Sequence, residues 1–167
     1  MKQFVASGLV ALLLSGCAGY RLGGVKPYVL RDVHSIAVPT FRNLTIVPRI
    51  EVLVTGTLIK QFQQDGTFRI VNGNHGDAVL KGDIVRINRS PARSVSGNVL
   101  ATTEFNLSLT VRYTLTAKDG KVLSSGETNG GTSFFVSTDV TTDERQALPL
   151  ATEDLAKRIV SQLSEGW

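Results

Sequence analysis

The sequence predicts an α+β two-layer sandwich, with two amphipathic helices packed on one face of a four-stranded, mostly antiparallel sheet. Three observations carry this expectation. The stretch FNLSLTVRYTLTA, residues 105–117, alternates apolar and polar side chains with a period of two. Two other stretches, RIEVLVTGTLIKQFQQDG (49–66) and TDERQALPLATEDLAKRIVSQLSEGW (142–167), place apolar residues at helical spacing. In chain order the elements read strand, helix, three strands, helix, and two such helices have the area to cover one face of the sheet.

The first strand is HSIAVPTF (34–41), ended by Pro39, which cannot donate to a ladder. In the helix that follows, Ile50, Val54, Leu58 and Phe62 fall four apart and Leu53 fills the same stripe. Thr45 is the expected N-cap and Pro48 falls in the first turn, where a missing N–H costs little. Gly66 stops the helix. FRIV (68–71) reads either as an extra short strand or as a lead-in to DAVLKGDIVRINRS (77–90), a strand whose alternation Gly82 interrupts.

The 105–115 strand buries one face and wets the other. A tight turn at KDGK (118–121) returns the chain as VLSSGETNGGTSFFV (122–136), where Gly130 and Gly131 suggest a bulge or bend. The last helix puts Leu148, Leu155, Ile159 and Leu163 on one face, and its early acids Asp143 and Glu144 suit the positive end of the dipole. Pro149 should kink this helix or mark its true start.

The N-terminus reads as an address. Lys2 precedes the uncharged run Phe4–Leu14, which is too short to span a bilayer, since that takes about 20 residues. Ser15 and Gly16 lead into Cys17, the single cysteine of the chain. LSGC is similar to the lipobox of bacterial lipoproteins, whose cysteine carries a diacylglyceryl group and becomes the acylated N-terminus after cleavage. Residues 1–16 are then a signal peptide, 17–30 a lipidated tether, and 31–167 a single α+β domain of ordinary size. Ala18 after the cysteine resembles the outer-membrane class, because an aspartate there favours inner-membrane retention.

Composition narrows the functions. The 18 basic and 14 acidic residues leave +4, too little for a duplex-DNA binder, and no nucleic-acid partner is expected. One cysteine allows neither a disulfide frame nor a CxxC metal site. His34 and His75 have no HxxH or HExxH spacing, no GxSxG occurs, and Asp77 and Asp83 form no specific pair. The expectation is a protein that is not an enzyme and holds no metal or cofactor.

CAGYRLGG, IAVPTFRNLT, PRIEVLVTGTLIKQFQQDGTFRIV, DAVLKGDI and LATEDLAKRIVSQLSEGW, in that order, resemble the LptE family of lipopolysaccharide-assembly lipoproteins. The resemblance spans essentially the whole chain after the leader. It implies two helices on a four-stranded sheet, an outer-membrane lipid anchor facing the periplasm and a barrel lumen, a role as plug and assembly aid for an LptD-like β-barrel, and binding of lipopolysaccharide. IAVPTFRN followed by an amphipathic helix also resembles lipoproteins that activate peptidoglycan synthases or form curli-type secretion pores, and that alternative stays open.

An anion site is the best candidate for chemistry. The connection VRINRSPARSVSGNV (85–99) carries Arg86, Arg89 and Arg93 with no acid between them, and arginine forks pair well with phosphate. Under the resemblance this loop faces the phosphates of lipid A; the plainer reading is a solvated hairpin that protects sheet edges. In an antiparallel run GGTSFFV lies at the same end, so Phe134 and Phe135 are candidate apolar contacts beside Arg89 and Arg93. The preferred arrangement covers both phenylalanines with the kinked last helix; the alternative leaves one facing a glycolipid or a barrel wall.

Overall fold

The computed structural model of the chain describes residues 26–73, 75–95, 98–137 and 139–166, with 94–95 and 98–103 as backbone alone. In order come β1 (Ser35–Ala37), β2 (Arg42–Asn43), α1 (Ile50–Asp65), β3 (Arg69–Val71), β4 (Ala78–Val95), β5 (Asn98–Ala117), β6 (Val122–Phe135) and α2 (Val140–Ser164). The strands make one sheet in the order β3-β1-β4-β5-β6, with β2 also paired to β4.

The two-layer α+β architecture is as expected, but the sheet is not. It has six strands and is mixed, in place of the expected four mostly antiparallel strands. β1 runs parallel to both β3 and β4, and β2 runs parallel to β4. β1 and β2 are two pieces of one edge along β4: Ile36 and Ala37 face Ala78 and Val79, then Arg42 and Asn43 face Asp83 and Ile84. Pro39, between them, lacks the N–H that a continuous edge needs. All three β1 residues are buried, so the sequence shows no alternation there to read. FRIV contributes β3, brought beside β1 by the α1 crossover.

The helix boundaries follow local chemistry. α1 starts at Ile50, later than a Thr45 cap would place it. Thr45 instead donates from its backbone N–H and its hydroxyl to the Asn43 side chain, at 2.9 and 2.8 Å, and its hydroxyl accepts from Val47 N–H. This turn uses up the capping groups, and Pro48 lies ahead of the first helical turn. Arg49 leads into the helix in a left-handed conformation, φ 64°. Gly66 ends it at φ 75°, donating to the Phe62 carbonyl at 3.0 Å. In α2 the Asp139 carboxylate accepts from Thr141 N–H at 3.0 Å as the N-cap, and Pro149 lies within the helix, well past its start.

The core lies between the sheet and both helices. Ile50, Val54, Leu58 and Phe62 of α1 and Leu148, Leu155, Ile159 and Leu163 of α2 are buried, against Leu107, Leu109, Val111 and Leu115 of β5. Gly130 sits where α2 crosses the sheet: a Cβ there would lie 2.3 Å from the Leu155 nitrogen and 2.4 Å from the Ala151 carbonyl oxygen. The β5–β6 register is unbroken across Gly130 and Gly131, so neither makes a bulge, and Gly130 admits the helix. Gly82 likewise gives its space to the buried Phe41 ring, 2.2 Å from where a Cβ would stand. Leu30 is 1% exposed, in a short 3₁₀ turn at Tyr28–Leu30, so the folded body takes in residues that the sequence assigns to the tether.

Candidate functional site

The three candidate arginines lie on a strand, not in a loop. β4 continues to Val95 and β5 begins at Asn98, so the expected connection is the far end of a long hairpin. The register places them on different faces. A bulge between Ile84 and Arg86 resets the alternation, so that Ile87 meets Leu109 and Arg89 meets Leu107, both on the helix side. Arg86 meets Thr110 on the open face. A second shift between Pro91 and Arg93 turns Arg93 to the open face, opposite Glu104. Arg86 and Arg93 stand seven positions apart, about 20 Å along a strand, so the three guanidinium groups do not converge on one phosphate.

Each arginine has its own surroundings. The Arg89 Nη1 lies 2.6 Å from the Glu144 carboxylate of α2, and its guanidinium carbon lies 5.2 Å from the Phe105 ring centre. Phe105 stacks on Phe134, centres 5.9 Å apart at 24°. Arg89 is therefore a clasp between the sheet and α2 just past its first turn. Arg93 lies 3.8 Å from Glu104. Arg86 is exposed and makes no ion pair among the described residues. The sequence shows no acid between the arginines, yet the fold supplies one to Arg89 from another element and one to Arg93 from the neighbouring strand. In the sequence Glu144 signals only a helix dipole, and Glu104 and Phe105 carry no signal beyond the alternation.

The two phenylalanines part company. Phe134 is 8% exposed and belongs to the core; Phe135 is 67% exposed on the open face. The arrangement with both under α2 is corrected, because adjacent strand residues point to opposite faces and α2 covers only one. Arg93, Glu104 and Phe135 thus form one row across β4, β5 and β6 at the sheet's far end. Leu44 and Ile46 are also exposed, Ile46 at 99%, on the loop ahead of α1. That loop is joined to β4 at Ile84, where the Leu44 N–H donates to the carbonyl at 3.0 Å.

The open face carries a charge ladder nearer its middle. Arg42 of β2 grips Asp83 of β4 with two bonds of 2.9 Å, and Arg112 of β5 bonds Glu127 of β6 at 3.2 Å. Asp83 holds the Arg42 guanidinium above its usual range by hydrogen bonding and by charge. Among the described residues no three His, Cys, Asp or Glu side chains gather as a metal site, and no helix is long and apolar enough to cross a membrane.

A family model for LptE, described as lipopolysaccharide-assembly, matches residues 33–163. The chain belongs to the LptE family. The family is one of outer-membrane lipoproteins in lipopolysaccharide assembly. No match is found among curated proteins. Solved structures share the LptE-family chain's fold. A minor lipoprotein from Acinetobacter baumannii is 17% identical, with a TM-score of 0.55 over 79% of this chain and 93% of that one. The PelC dodecamer from Paraburkholderia phytofirmans is 15% identical, with a TM-score of 0.56 over 86% and 96%. A protein from Xanthomonas campestris is 14% identical, with a TM-score of 0.59 over 84% and 88%. At such identities the likeness is one of fold. Cys17 and the leader of this LptE-family protein lie outside the described residues.

Proposed function

We propose that this LptE-family protein is anchored in the outer membrane through acyl chains on Cys17, docks within an LptD-like β-barrel and helps it assemble, and binds lipopolysaccharide with the far end of its sheet. The observation that carries the binding surface is the row of Arg93, Glu104 and the exposed Phe135, where a phosphate would take over Arg93 from its 3.8 Å pairing with Glu104, and Phe135, across β5, offers an aromatic ring to acyl chain or sugar. Arg86 extends the positive charge along the same open face, and Arg89 holds the row's under-layer in place through Glu144 and Phe105. The signal peptide 1–16 and the lipidated Cys17 complete this reading, with a tether that ends ahead of the Tyr28–Leu30 turn, which belongs to the folded body.

Extraction of the outer membrane in mild detergent tests the partner. Recovery of this protein with a large heat-modifiable β-barrel is expected, and recovery without one would overturn the docking. For the lipid, Arg86→Gln with Arg93→Gln should weaken lipopolysaccharide capture by about tenfold or more, as two charge-assisted bonds are lost. Unchanged capture would remove the row from the reading. PelC has a dodecameric form with this fold, so ring assembly is the second reading; the size of the acyl-free domain in solution, monomer or ring, separates the two.

A further inference from the structure

The sheet ends in β6, whose outer side has no strand beside it among the described residues. The Gly131 N–H points outward, since it donates to the Asp154 carboxylate of α2 at 2.9 Å. In an antiparallel ladder every second residue shares that direction. Asn129, Glu127 and Ser125, paired in unbroken register with Thr110, Arg112 and Thr114, therefore turn their N–H and C=O groups outward as well. None of these three backbones has a partner among the described residues.

The free edge borders a groove of about 560 Å³, walled by α2 and lined by Thr128, Asn129, Asp154, Lys157, Arg158 and Gln162 among others. Gln162 is fixed there, its Oε1 accepting from Tyr113 Oη at 2.9 Å and Thr128 Oγ1 at 3.1 Å. Its amide NH₂ has no partner among the described residues and is a donor left for an occupant.

The charges around this groove are already matched. Arg158 pairs with Asp154 at 3.0 Å, Lys157 with Glu153 at 2.9 Å and Arg112 with Glu127 at 3.2 Å. A phosphate finds no spare cation among these residues. What the groove lacks is a backbone.

We infer that the β6 edge from Ser125 to Asn129, together with the α2 wall, is a docking site for an extended, uncharged, polar segment of a partner protein, which adds as a further strand. The site has two built ends. The turn at Lys118–Lys121 closes one, and the Asp154 bond to Gly131 closes the other by occupying the next outward N–H. The segment is thus about five residues, roughly 17 Å of extended chain. A single strand of that length runs along the β6 edge and meets the α2 wall as well.

A photo-crosslinking residue at position 129 of the full-length protein, irradiated in its own cell envelope, tests the inference. The expected adducts map to one short stretch of a partner, and Glu127→Pro lowers their yield about five- to tenfold, because it deletes an outward N–H. Thermal melting should be nearly unchanged by Glu127→Pro, since that N–H serves no bond within the sheet. Glu127→Gln, which removes the Arg112 pair and keeps the N–H, should retain the adducts. Adducts to lipid or to a second copy of this chain, no adducts, adducts scattered over a partner, or a yield indifferent to Glu127→Pro would each overturn it.

Discussion

At the residue scale the glycines show how far composition alone can be read. Gly130 looks like a strand breaker in the sequence, yet its missing side chain is what lets α2 lie against β6. Adding one carbon there places it 2.3 and 2.4 Å from backbone atoms of α2, which cannot swing aside as a side chain would. Gly130→Ala is expected to destabilise by about 1–3 kcal/mol, the usual cost of overpacking, seen as a lower urea midpoint. Gly56 is the opposite case. It lies exposed inside α1 with nothing within 4 Å of where a Cβ would stand, and its φ is ordinary. Gly56→Ala should stabilise by about 0.5–1 kcal/mol by narrowing the unfolded chain. The two residues are indistinguishable in the sequence as interruptions of a regular element; only the approach of another backbone separates them. The same reason hides the partners of the arginines, because Glu144 is 55 positions from Arg89 in the chain.

At the element scale, legibility follows periodicity. β5 and both helix faces are evident because each has one wet and one dry side. β1 and β3 are hard to place because short parallel strands reveal neither alternation nor partner. The pairing of β1 to β4 depends on Asp77, whose carboxylate accepts from Ser35 Oγ at 2.8 Å, Ser35 N–H at 2.9 Å and His34 N–H at 3.1 Å. These bonds, the Ser35 hydroxyl first, hold the carboxyl below its ordinary 3.8. A lowered folded-state value means the stabilisation is fully present above the unfolded value and is lost as pH falls through the folded one. Asp77→Asn should therefore be less stable than the parent at neutral pH, and the gap should close below about pH 3.8. A gap of constant size in urea unfolding across that range would refute the assignment. In α2, Pro149 is exposed within the helix and leaves the carbonyl one turn earlier without its N–H donor. Pro149→Ala should stabilise by up to about 3 kcal/mol, seen as a higher urea midpoint.

At the scale of the whole molecule, the two faces of the sheet have different work. Helices cover one, so its residues are fixed by packing; the other presents serines, threonines, asparagines and paired charges, with Arg93 and Phe135 at its far end. If that end binds lipopolysaccharide, its two residues should fail differently. The Arg93 contribution is a charge interaction at an exposed site, and salt screens it: the Debye length falls from about 10 Å at 0.1 M to about 3 Å at 1 M. Phe135 contributes by leaving water, which salt does not weaken. Arg93→Gln should thus reduce binding several-fold at low salt and progressively less as salt rises. Phe135→Ser should reduce it at every salt concentration. Arg89→Gln should act through folding instead, since its partners Glu144 and Phe105 belong to the body of the domain: a lower melting temperature, with the salt profile of binding retained. A Phe135→Ser defect that vanished in high salt along with the Arg93→Gln defect would mean that the ring only supports the charge, and the aromatic half of the surface would have to be withdrawn.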